Sequence, residues 1–454
     1  MRKTVVIDVV GLSSSLIGEH TPFLAAYAKQ HHKGAIAPML PAVTTAVQST
    51  YVTGQWPSEH GIVGNGWYDR EDCEIKFWKQ SNKLVQAEKI WERAKKLDPA
   101  FTCAKMFWWY NMYSSADFSV TPRPQYLSDG RKMPDCYAHP AQLRDRLQQE
   151  LGQFPLFQFW GPGANIRSTQ WIADASILTD KWHDPSLTLI YLPHLDYCLQ
   201  KYGHDYTKIA PELRAVDKVV QQLVEHYQQK NSEIIILSEY GITNVSRPVH
   251  LNRIFREAGL IAVREERGLE LLDAGASKAF VVADHQVAHV YVNDDHSYKK
   301  VRELVEKVPG VQLVLDRDGK RAHNIHHERS GDIVLVADAD SWFTYYYWLD
   351  DAKAPDFARI VDIHRKPGYD PVEMFLNPAD PFVKLKVIGK VLKKKLGFRY
   401  LMDVIPLDAT LIRGSHGRLA GDVKDHPVLI STQPVSERLL ATEVYDLIWK
   451  AMEI

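Results

Sequence analysis

Cysteine is scarce and scattered. The four residues Cys73, Cys103, Cys136 and Cys198 lie in a chain of 454 with no CxxC pair and no dense spacing, which excludes a disulfide framework and a cysteine-rich zinc module. Net charge is also missing: 55 Lys and Arg balance 56 Asp and Glu, for a formal charge of −1. No global field therefore draws the chain to a nucleic acid polymer, and a charged ligand must be recognised locally. No apolar run approaches the ~20 residues of a membrane-spanning helix. The start, "MRKTVVIDVVGLSSS", places Asp8 inside its apolar run and offers no small-residue cleavage site after it, so it reads as a first strand rather than a secretion signal. Internal repeats and low-complexity tracts are absent too. A cytoplasmic protein with reduced thiols is the expectation.

What is present is a pattern of alternating strands and helices. "TVVIDVV", "LTLIYL" and "EIIILS" are short runs rich in β-branched residues, as expected of strands covered on both faces. Between the last two lies a helical segment whose Leu213, Val216, Val219, Val220, Leu223 and Val224 form one apolar stripe. Strand, helix and strand in this order imply a largely parallel sheet. Further on, "AHVYVND", "SYKKVRELVEKVPG" and "VQLVLDRDG" read as strand, helix and strand of a compact smaller unit. The basic stretch "KLKVIGKVLKKKLGFRY" reads as a solvated helix face, with docking to a membrane or a partner as the alternative.

Ligands of open parallel sheets collect at the carboxyl ends of the strands. Asp8, Asp196 and Glu239 each stand at such an end, and Thr44 and Thr45 follow "IAPMLPAV" just before a segment able to start a helix. Any one of these could be a helix cap or a turn residue. Together they place three carboxylates and a hydroxyl where hard divalent cations could hold a phosphoryl group.

The order "VVIDVVG", "PAVTTAVQSTYVTGQWPSEHGIVGNGWYD", "YLPHLD", "LSEYGI" and "RGSHGR" resembles the alkaline phosphatase superfamily, in its branch of nucleotide pyrophosphatases and phosphodiesterases. The resemblance runs from Thr4 to about Arg418. It implies an α/β three-layer sandwich with a central, mostly parallel sheet and inserted cap segments. It also implies two metal ions, usually zinc, and a Thr or Ser nucleophile. Carried across residue by residue, Asp8 matches a metal ligand, Thr44 the nucleophile, Asn65 the donor to a phosphoryl oxygen, Asp196 a ligand of the other metal and His416 the late histidine ligand. The spacing back from "YVTG" selects Thr44 over its neighbour Thr45.

The chain departs from that pattern at three positions. Gln200 stands where a histidine is expected, and Glu239 with Tyr240 replace an adjacent Asp and His. The set thereby shifts from imidazole nitrogen toward oxygen, and from zinc toward manganese or magnesium, with one or two ions bound. His364, in "DIHRKPGYDP", is the candidate to make up the deficit, the alternative being a turn histidine that caps or pairs locally; His285, His289, His326 and His327 are further spare histidines. The implied organisation is a metallohydrolase core begun by residues 1–255 with cap-like insertions at about 100–180, a small α+β insertion at 256–330, and the rest of the core at 331–454. The implied activity is metal-dependent hydrolysis of a small phosphate ester or pyrophosphate. Phosphonate or phosphomonoester hydrolysis, or anion binding without turnover, are the alternatives. The aromatic segments "KMFWWYNMYSSADFSVTPRPQY" and "FWGPGANIRSTQWI" offer faces for a base or another planar group, or simply core packing.

Overall fold

A computed structural model describes residues 1–453. Its main body is a nine-stranded sheet. In chain order the strands are β1 (Thr4–Val9), β2 (His32–Ile36), β3 (Cys103–Met106), β4 (Phe118–Pro122), β5 (Cys136–His139), β6 (Leu187–Leu192), β7 (Glu233–Leu237), β8 (Val428–Ser431) and β9 (Arg438–Leu439). Across the sheet they run β9, β2, β8, β7, β1, β6, β3, β4, β5. The five central strands from β7 to β4 are parallel, and the antiparallel pairings are those of β8 with β7 and β2, and of β5 with β4. Every residue of β1, β6 and β7 is buried, which is why these segments are continuous Val/Ile/Leu runs rather than alternating ones.

Helices cover the faces. The five used below are α1 (Thr44–Thr53), α2 (Ile166–His183), α3 (His194–Tyr202), α4 (Tyr206–Gln228) and α5 (Val383–Lys395). The apolar stripe expected between "LTLIYL" and "EIIILS" lies on α4 and is buried from Ile209 to Tyr227. Asp205 caps α4 by accepting the Thr207 N–H.

The segment near 100–180, expected to form cap-like insertions, instead supplies β3, β4, β5 and α2 to the main body. Its strands are four or five residues long, too short for a hydrophobic period to stand out in the sequence. A second, antiparallel sheet has the order Ala279–Asp284, Val287–Val292, Ile333–Ala337, Val311–Leu315. It therefore reaches past residue 330, because Ile333–Ala337 must enter between two strands already made upstream.

The buried carboxylate of Asp180 on α2 fastens the start of β1 to the helical layer. Lys3 lies 2.5 Å from it, Lys230 3.0 Å and His226 2.7 Å. Burial alone would raise its pKa, but the hydrogen bonds from His226, Lys3 and Lys230 prevail and bring it to about 2. The folded value lies below the ~3.9 of an unfolded aspartate. Its stabilisation is thus complete above that value and lost as pH falls through about 2. Asp180→Asn should cost roughly 1–2 kcal/mol at neutral pH, because the buried partner of Lys3, Lys230 and His226 is lost while the exposed Asp184 still pairs with both lysines. In urea unfolding the gap to the parent protein should narrow as the pH is lowered toward 2.

Candidate active site

Parallel alignment brings the ends of β1, β6 and β7 to one edge. Asp8, next to last in β1, is in register with Tyr191 of β6 and Leu237 of β7. Glu239 follows β7 by two residues, and Asp196 sits in the first turn of α3, just after β6. The three carboxylates are buried, at 0%, 2% and 6% exposure for Asp8, Glu239 and Asp196. Gly241 fixes the turn after Tyr240, since a Cβ there would lie 1.9 Å from the Asp425 carbonyl oxygen.

Thr44 opens α1, preceded by Val43 in extended conformation. Its Oγ1 lies 2.9 Å from the Tyr240 hydroxyl, which donates to Asp196 Oδ1 at 3.2 Å. The Tyr240 proton being so used, Thr44 is the donor in the first of these bonds. One helical turn on, Gln48 presents its amide to the other two carboxylates. Its Nε2 donates to Glu239 Oε1 at 2.6 Å and to Asp8 Oδ2 at 3.3 Å, while its Oε1 accepts the Trp109 N–H at 2.7 Å. Gln200 Nε2 donates to Asp196 Oδ2 at 2.7 Å and its Oε1 accepts from Tyr369 at 3.0 Å. His416 stacks on Tyr240 with ring centroids 3.6 Å apart and holds the Ala42 carbonyl through Nδ1 at 2.7 Å. That bond leaves the Nε2 lone pair facing Asp196 Oδ1 at 3.5 Å.

The electrostatics follow from three buried acids without a cationic side chain among them. Burial raises the pKa of Asp8 well above the usual range, and the neighbouring Glu239 adds to it. Burial also raises Glu239, and takes Asp196 up to about 7. His416 is pushed well below the ordinary imidazole value by burial and is neutral. Among the described residues, Asp8 Oδ1, Glu239 Oε2 and His416 Nε2 have no hydrogen-bond partner.

These unmatched lone pairs test the metal set. Asp8 and Glu239, each with one oxygen free and sharing a single neutral donor, have the chemistry to hold one hard cation beside Thr44. The second position is different, because Asp196 already accepts from Gln200 and Tyr240. Among the described residues no group of three or more His, Cys, Asp and Glu side chains is arranged to hold a metal ion.

Other expected residues are placed as follows. Asn65 lies beside Thr45, whose N–H and hydroxyl donate to its Oδ1 at 3.2 and 3.1 Å. Its own amide donates to Asp284 Oδ1 at 3.0 Å, which leaves one amide hydrogen for a ligand. His364 is not brought to the cluster. Its Nδ1 meets the Phe77 carbonyl at 3.3 Å, and it lines a separate cavity of about 530 Å³ with Lys79 and Arg365. The reason is local, since residues 362–367 turn away before Tyr369 enters the site. Of the spare histidines, His285 arrives, tilted 3.8 Å from His416 and stacked 3.6 Å from Tyr369. Gln48, Asp284 and Tyr369 were not among the expected residues. The only signals for them in the sequence are the one-turn spacing of Gln48 from Thr44 and the acidic end of the Ala279–Asp284 strand, and neither says that the side chain reaches this site. The two aromatic segments converge here through Trp109 and Trp160: Trp78 packs 4.8 Å from Trp109 and 6.1 Å from Tyr369, and Trp160 lies 5.9 Å from Tyr369.

The sequence model of the type I phosphodiesterase / nucleotide pyrophosphatase family matches residues 4–370. Ectonucleotide pyrophosphatase/phosphodiesterase 1 of Saccharomyces cerevisiae is 25% identical over 282 residues, covering 54% of this chain and 34% of that protein. The chain spans about a third to a half of the length of the curated relatives it matches. Among solved structures, an inactive threonine-to-alanine variant of murine ectonucleotide pyrophosphatase/phosphodiesterase 5 in complex with AMP superposes with a TM-score of 0.61 at 15% identity, over 100% of this chain and 96% of that one. Phosphonoacetate hydrolase from Sinorhizobium meliloti 1021, in complex with phosphonoformate, gives a TM-score of 0.63 at 13% identity, over 99% and 96%. These likenesses show the shared fold.

Gln48 is a neutral donor that bridges two buried acids, Asp8 and Glu239. Gln48→Ala should lower stability at neutral pH by roughly 1–3 kcal/mol, the cost of leaving buried acceptors unmatched. Added manganese or zinc should then raise the melting temperature of the variant more than that of the parent, because the cation replaces the lost donor.

Proposed function

The chain belongs to the type I phosphodiesterase / nucleotide pyrophosphatase family, and from that premise we propose that it hydrolyses a small phosphate diester or pyrophosphate with Thr44 as nucleophile and a divalent cation as cofactor. The observation that carries this reading is the Thr44 hydroxyl, buried at the start of α1 and hydrogen-bonded to Tyr240 beside three carboxylates. Asp8 and Glu239 would hold the cation next to Thr44. Their oxygen donors favour manganese or magnesium, whereas the family resemblance favours zinc. When bound, the cation supplies positive charge against the phosphoryl oxygens. A second cation, at Asp196 and His416, would need Gln200 and Tyr240 to turn aside.

The chain's own groups account for the rest. The positive end of α1 favours an anionic phosphoryl group at Thr44. As Oγ1 bonds to phosphorus and the bond to the leaving oxygen breaks, the Thr44 proton passes to the Tyr240 hydroxyl, whose own proton moves to Asp196 along the existing hydrogen bonds. Water then attacks the phosphothreonine as the Oγ1–phosphorus bond breaks, and one water proton restores the Thr44 hydroxyl. Each displacement inverts phosphorus, so the two together retain its configuration. Asn65 directs its remaining amide hydrogen to a nonbridging oxygen. The Trp78, Trp109, Trp160 and Tyr369 rings suit a substrate with a planar group, and AMP in the murine relative's structure agrees with that chemistry. Phosphonate cleavage is the same chemistry on a different leaving group.

A second reading, anion binding without turnover, is favoured by Gln200 and Tyr240 at positions where imidazoles are expected. It requires nucleotide binding in a chelator and no hydrolysis with any divalent ion.

Thr44→Ala should reduce hydrolysis of a nitrophenyl phosphodiester by more than ~10³-fold, with the fold and metal-dependent thermal shift kept. Thr44→Ser should retain part of the activity. Thr45→Ala should remain active, and an inactive Thr45→Ala beside a normal Thr44→Ala would move the nucleophile by one residue.

A further inference from the structure

Helix α5 carries its apolar ridge on the wrong side for a core helix. It faces the body through Val383 and the half-buried Val387. Leu385, Ile388, Leu392 and Leu396 are 64%, 63%, 55% and 64% exposed. At ~3.6 residues per turn these four fall within an arc of about 80° centred opposite Val383. Phe382 and Phe398, each 62% exposed, stand at the two ends of the ridge. Lysines border it on both sides, Lys384 and Lys395 along one edge and Lys386 and Lys393 along the other. The helix, "VKLKVIGKVLKKK", contains six lysines and no acidic residue. Lys386 pairs with Asp380 and Lys390 with Asp403, whereas Lys384, Lys393 and Lys395 have no carboxylate within ion-pair distance among the described residues.

We propose that α5 docks this protein on an anionic lipid bilayer, lying in the plane of the surface with the Leu385–Leu396 ridge among the acyl chains and the lysines among the headgroups. A convex ridge flanked by cations fits that interface. The leucines enter the hydrocarbon boundary while the lysine stems lie along it and place their ammonium groups at the phosphates. The chain as a whole has a formal charge of −1, so the cationic band is local to this helix. A second copy of the chain is a poor occupant, because apposed ridges would bring two lysine borders together. The helix also leans on the turn that reaches the candidate active site: Lys394 lies 4.8 Å from the Phe157 ring centre, three residues before Trp160.

The test uses the whole protein in co-sedimentation with vesicles of mixed phosphatidylglycerol and phosphatidylcholine, and with phosphatidylcholine alone. Binding to the anionic vesicles should be more than ~10-fold tighter than to the neutral ones and should weaken with added salt. Lys384→Gln, Lys393→Gln and Lys395→Gln combined should lose most of that preference. Leu385→Ser with Leu392→Ser should lower binding at least ~10-fold. All these positions are exposed, so unchanged circular dichroism and melting temperature confirm that the variants fold. No binding to anionic vesicles, equal binding to neutral ones, or a dimer in sedimentation velocity that the serine variant abolishes would overturn the proposal.

Discussion

Three carboxylates buried at the ends of adjacent strands are the constraint from which the rest of the site follows. Asp8, Glu239 and Asp196 arrive together because β1, β6 and β7 are parallel neighbours, and each must then find a donor, a proton or a cation. The chain supplies a donor to all three from two neutral side chains. Gln48 serves Asp8 and Glu239 from one turn along α1, and Gln200 serves Asp196 from one turn along α3. Tyr240 joins the two halves, linking Asp196 to the Thr44 hydroxyl. Protonation levels rise accordingly, with Asp196 near 7 and the Asp8–Glu239 pair shifted upward together. The arrangement keeps charge low in a dry place and leaves the Thr44 hydroxyl at its centre.

Much of this was legible in the sequence, for identifiable reasons. A strand buried on both faces must be an unbroken β-branched run, so β1, β6 and β7 announce themselves, and the acids that end them are displayed by position. The threonine loop is equally visible because a Pro, two hydroxyls and a Gly-rich turn stand in fixed order. Other features depend on tertiary placement. Gln48 faces inward only because α1 packs over the sheet edge. Asp284 reaches Asn65 across 219 residues of chain, a distance over which no local pattern speaks. His364 looked like a ligand because two aspartates flank it in sequence, yet the loop directs it to Phe77 and delivers Tyr369 instead. The short strands β3 to β5 carried too few residues to show a period, which is why 100–180 read as an insertion.

The departures from the family pattern are mutually consistent in the fold. Tyr240 can occupy its place because His416 offers a ring to stack on and Gly241 lets the chain pass Asp425. Gln200 is held by Tyr369, which is in turn packed by His285. Together these side chains surround Asp196 with hydrogen bonds, while Asp8 and Glu239 keep open oxygens near Thr44.

The central claim is that Thr44 forms a covalent phosphoryl intermediate, and the stereochemical course at phosphorus tests it most directly. A nitrophenyl phosphorothioate diester of one configuration is hydrolysed in isotopically labelled water and the product's configuration is determined. Two displacements through Thr44 predict retention. Inversion would mean that water attacks phosphorus directly, and would contradict the account.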